Sequence, residues 1–80
     1  MERFYFNVMD GASAPDREGV LLSGLDAARI EAVRLTGALL SEAPASACAG
    51  DDWRVEVVDQ RGLTLFMITV ITTDSPATRR

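Results

Sequence analysis

Hydrophobic and polar residues alternate at both ends of the chain and recur at three- and four-residue spacing between them. Arg3 to Met9 (RFYFNVM) reads as a strand, with Phe4, Phe6 and Val8 on one side and Tyr5, Asn7 and Met9 on the other. Asp10-Gly11 signals a turn, since glycine reaches positive φ without steric cost. A polar connection leads to a short return strand, Gly19 to Leu22, which must begin after Pro15 because proline cannot donate to a ladder. From Gly24 to about Ala43 the pattern is helical. Leu25, Ala28, Ala32, Leu35 and Leu39 make one apolar stripe, flanked by Arg29, Val33, Thr36 and Leu40. Ser23 is the expected N-cap, with Asp26 in a capping-box position, and Pro44 stops the helix. Residues 44–52 (PASACAGDD) read as a loop of small residues. Trp53 to Asp59 alternates, with Trp53, Val55 and Val57 opposite Arg54, Glu56 and Val58. Asp59-Gln60-Arg61-Gly62 is a tight turn with Gly62 in the left-handed position. Leu63 to Ile71 is the last strand, apolar on both sides.

This order predicts an α+β fold, a two-layer β-β-α-β-β arrangement with one helix on a mainly antiparallel four-stranded sheet. Residues 1–73 form the single domain, and 74–80 read as a disordered tail. The pattern does not fix strand order. The first and last strands are the most apolar, which places them towards the middle. One helix covers one face only. With Phe4, Phe6, Val8, Trp53, Val55 and Val57 under the helix, the expected outward surface is Tyr5, Met9, Val58 and, from the last strand, Phe66, Ile68 and Val70.

Composition narrows the possible chemistry. An 80-residue chain buries roughly 60% of its unfolded surface, so it gains from tight packing or self-association. Cys48 is the only cysteine and there is no histidine, which removes internal disulfides, conventional zinc sites and histidine-based catalysis. The net charge of −4, with arginine as the only basic type, argues against nucleic acid and anionic membranes as partners. The longest apolar run falls far short of the ~20 residues of a membrane helix, and no signal peptide is visible. A cytoplasmic protein is expected.

The segments FYFNVMDG, DREGVLL, LDAARIEAVR and WRVEVVDQRG together resemble a small alphaproteobacterial family of unknown function, whose members open with a Y-F-x-V-x-D-G-like strand. Asp10, Gly11, Glu18, Gly19, Ala28, Arg29, Glu31, Ala32, Trp53, Asp59 and Gly62 match that pattern, across most of residues 3–70. Members often carry histidines where this chain has Asn7 and Met9. The resemblance implies a compact α+β domain and brings no activity with it.

Candidate chemistry is sparse. Asp10, Asp16, Glu18 and Asp59 would make a divalent-cation or acid–base site if the turns met at one end of the sheet; aspartates more often serve the turns themselves. Glu31 and Arg34 stand three apart, as a helix-surface ion pair, with Arg29 nearby. Cys48 and the serines have no histidine to activate them. Tyr5 and Phe66 are aromatic groups of the kind that stack on nucleobases, but the acidic balance opposes it. No catalytic, cofactor-binding or metal-binding residue is assigned. The function expected is a non-enzymatic protein–protein interaction module, a homodimer through its sheet. The alternatives are an antitoxin-like or regulatory protein masking a small basic partner, and an enzyme built on the carboxylates and a divalent metal.

Overall fold

The computed structural model describes residues 1–9, 13–42 and 53–78. The expected turn at Asp10-Gly11, the Pro44 stop, the 44–52 loop and Cys48 lie outside the described residues. Strand β1 (Glu2–Met9) is followed by β2 (Ser13–Ala14), β3 (Val20–Leu22), helix α1 (Leu25–Glu42), β4 (Trp53–Asp59) and β5 (Thr64–Val70). The helix packs on an antiparallel sheet, as the alternation predicts: β1 pairs with β4, and β4 with β5.

The second strand is split. Ser13 and Ala14 pair with Met9 and Val8, and Val20–Leu22 pair with Phe4–Glu2, so β2 and β3 share one edge of β1. The break has a chemical reason. Pro15 lacks a donor, and the Asp16 side chain takes over the missing ladder bonds. Gly19 then restores the strand direction at φ 72°. A Cβ there would lie 2.9 Å from the Phe4 carbonyl oxygen and 3.0 Å from Tyr5 Cε2, so only glycine fits.

Strand order corrects one expectation. β1 is central, but β5 lies at the edge, with β4 between them. Apolarity on both sides of a strand did not mean a central position. β4 and β5 form a hairpin, so β5 sits beside β4, and β1 occupies the other side of β4. The hairpin closes as expected: Gly62 adopts φ 85°, its N–H donates to Asp59 O, and Asp59 N–H donates to Leu63 O.

The core is Phe4, Phe6, Val55 and Val57 from the sheet against Ala28 and Ala32 of the helix. Both alanines are fully buried, and their small side chains let the helix lie close to the aromatic strand. Two details of the helix differ from the pattern. Gly24 supplies the capping carbonyl, accepting from Ala28 N–H, and Ser23 stands one residue before it. Thr36 is buried in place of Leu25 because its hydroxyl donates to Ala32 O at 2.8 Å, satisfying the polar group inside the apolar stripe.

Candidate functional site

Two of the four candidate carboxylates, Asp16 and Asp59, are occupied by their own turns. Asp16 Oδ2 accepts from Phe6 N–H at 3.1 Å, and Oδ1 accepts from Glu18 and Gly19 N–H at 3.0 and 3.1 Å. Asn7 Oδ1 accepts from Asp16 N–H at 2.8 Å, which locks the carboxylate across the gap between β2 and β3. Asp59 Oδ1 accepts from Arg61 and Leu63 N–H, and Oδ2 takes the Arg61 guanidinium at 3.0 Å. Burial pushes both carboxyls up. The backbone donors outweigh it at Asp16, and Leu63 N–H together with Arg61 outweighs it at Asp59, so both end below the ordinary aspartate value. Glu18 is exposed, and Asp10 lies outside the described residues. Among the described residues no three His, Cys, Asp or Glu side chains gather as metal ligands.

Arginine on the helix also acts within the fold. The Arg29 guanidinium lies 4.9 Å from the Phe66 ring centroid, covering that ring from the helix side. Glu31 and Arg34 do not pair; among the described residues the ion pair is Arg61 with Asp59.

The expected outward surface divides in two. Tyr5, Met9 and Val58 lie on the face away from the helix. Register puts Tyr5 beside Val58, and Met9 beside Arg54. Phe66, Ile68 and Val70 lie on the other face. They pair with Val57, Val55 and Trp53, and Phe66 and Ile68 pack against the core. The alternation within β5 is as read, but its phase against β4 could be known only from the register. Tyr5 and Phe66 therefore occupy opposite faces and cannot form one stacking platform.

The open face is less greasy than its strands taken singly. Cross-strand rows run Asn7–Glu56–Met67 and Met9–Arg54–Thr69, so each mixes polar with apolar residues. Tyr5 and Arg3 both lie over Gly19. Besides Val20 and Leu21 on β3 and Ile30 and Val33 on the helix, exposed apolar side chains also line β5: Leu65 is 38% exposed, Met67 45%, and Ile71, just past the strand, 64%. These are the residues that sequence reasoning passed over. The signal for them was the absence of any charge from Gly62 to Thr73.

The two sheet edges are built differently. The β2/β3 edge is interrupted by Pro15 and plugged by Asp16, and Arg17 and Glu18 are exposed beside it. Such breaks and charges keep an edge from recruiting other strands. At the opposite edge β5 runs seven residues with no charge and no proline, and among the described residues it pairs only with β4. An irregularity near its start, between Val57 and Val58 of β4, leaves Phe66–Val70 in regular register.

Among the described residues one buried side-chain donor is unsatisfied. Trp53 is 5% exposed, and its indole N–H has no acceptor among the described residues. The pocket beside it, lined by Val8, Thr36, Leu39 and Ile68, has no room for a water molecule.

No helix among the described residues is long and apolar enough to cross a membrane. No curated protein and no solved structure matches the chain. The model of one family, described as "Domain of unknown function (DUF6894)", matches residues 3–72. With nearly its whole folded span inside that match, the chain belongs to the DUF6894 family.

Proposed function

We propose that this domain is a non-enzymatic protein–protein interaction module that self-associates through its sheet, working as a homodimer in a bacterial cytoplasm. The observation that carries this reading is the apolar, uncharged β5, with Leu65, Met67 and Ile71 exposed along it. A chain of 8.6 kDa gains stability by covering such surface with a second molecule. The Asp16 and Asp59 carboxylates support a binding role over a chemical one, because their oxygens hold the protein's own turns. A lone cysteine suits a reducing compartment. Sedimentation equilibrium at micromolar concentration tests the reading. A weight-average mass near twice 8.6 kDa supports it, and a clean monomer across the concentration range refutes it.

A further inference from the structure

Resting on that reading, we infer that the contact is made edge to edge: β5 pairs antiparallel with β5 of a second copy, about a two-fold axis at Ile68. The result is one continuous sheet with both helices on the same face.

Backbone phase gives the edge its donors and acceptors. Phe6 N–H points away from β4, to Asp16, so the Phe6–Val57 pair is not the hydrogen-bonded kind. Val57 therefore turns its backbone groups toward β5, and Asp59 N–H on Leu63 O shows the same phase two residues on. Phe66, Ile68 and Val70 bond to β4 in consequence. The N–H and C=O of Met67 and Thr69 point out of the free edge.

Symmetry selects the occupant. The regular stretch Phe66–Val70 is centred on Ile68. Pairing about that centre sets Met67 against the partner's Thr69, both with outward backbone groups, so each pair exchanges two hydrogen bonds. It also sets Leu65, 38% exposed, against the partner's Ile71, 64% exposed. Charge agrees with the antiparallel sense. Arg61 and Asp74 are the charges that bound the uncharged run, one at each end. Arg61 also pairs with Asp59 but is 74% exposed, and antiparallel pairing sets the Arg61 end of one edge against the Asp74 end of the other, whereas parallel pairing would set like ends together.

The helix adds to the same side. Arg29 stands over Phe66 of β5, and Val33, one turn further, is 63% exposed. Pairing the edges would cover the backbone groups of Met67 and Thr69 together with Leu65, Met67 and Ile71, which are 38%, 45% and 64% exposed.

The test uses the full chain. Met67→Pro removes an N–H that the protomer does not use and sets a ring against the incoming strand. Thr69→Lys places a charge on the same edge without touching the backbone. Each variant should keep the wild-type circular dichroism and raise the dimer dissociation constant at least tenfold by sedimentation. Ile68→Cys in a Cys48→Ser background checks the register. Directly opposed non-hydrogen-bonded residues lie about 4.5 Å apart at Cα, within disulfide reach. Oxidation should therefore yield a covalent dimer from Ile68→Cys and far less from Glu2→Cys on β1. A wild-type dimer that both edge variants leave intact overturns the edge contact while self-association through the sheet stands. A wild-type monomer at every concentration overturns both, and would leave the edge to a strand from another protein.

Discussion

Removing the Asp16 carboxylate should cost this domain a large part of its stability, although the side chain is only half-buried. In Asp16→Ala three backbone donors lose their acceptor: Phe6 N–H at 3.1 Å, Glu18 N–H at 3.0 Å and Gly19 N–H at 3.1 Å. Glu18 is exposed, so water replaces its bond at little cost. The bonds to Phe6 and Gly19 are part-buried, so water replaces them less readily. Discounted for partial exposure to solvent, two such charge-assisted bonds amount to about 2–3 kcal/mol. For 80 residues, an unfolding entropy of about 2.1 cal/mol/K per residue converts this to a fall in Tm of roughly 12–18 °C. Thermal unfolding followed by far-ultraviolet circular dichroism gives the value. Trp53, the single tryptophan and buried, offers a second probe by fluorescence. All variants should be compared at one protein concentration, because self-association shifts Tm. Asp16→Asn keeps one oxygen acceptor and should lose about half as much. A Tm within about 3 °C of wild type for Asp16→Ala would sink the claim that this side chain substitutes for the broken ladder.

The two left-handed glycines should respond unequally. Gly62→Ala meets open space at φ 85° and should cost about 1 kcal/mol. Gly19→Ala adds a clash with the Phe4 carbonyl oxygen and should cost at least twice that; equal costs by urea denaturation would count against the crowding. Stability should also fall in acid with a definite sign. The Asp16 and Asp59 carboxyls are held below their usual 3.8, so their contribution is complete above the unfolded value and disappears as pH drops through the folded ones. Asp16→Asn should flatten stability between about pH 5 and 2; an unchanged slope would contradict this. Ala32→Leu should overpack the helix–sheet contact by about 1–3 kcal/mol, since Ala32 has no exposed surface; urea denaturation reads it directly.

Much of this protein follows from local chemistry. The alternation of Trp53–Asp59, the helical stripe through Ala28 and Ala32, and Gly62 as the left-handed residue of the turn are readable because each depends on neighbours in sequence. The inner set Phe4, Phe6, Val55 and Val57 followed from the same period. So did the inference that a single helix leaves part of the sheet uncovered. Tertiary structure decided what depends on residues far apart. Whether Phe66 and Ile68 faced the helix required the register between β4 and β5, and a shift of one residue reverses that answer. Whether β5 was central or marginal depended on which side of β4 received β1, and no pattern within either strand encodes that choice. Asp16 looked like an ordinary turn residue because its partner Phe6 lies ten positions away, across a gap that exists only when β2 and β3 line one strand. The sequence set the period of each element, since period is a property of successive side chains. The fold set phase and neighbourhood, because those arise only when separate segments meet.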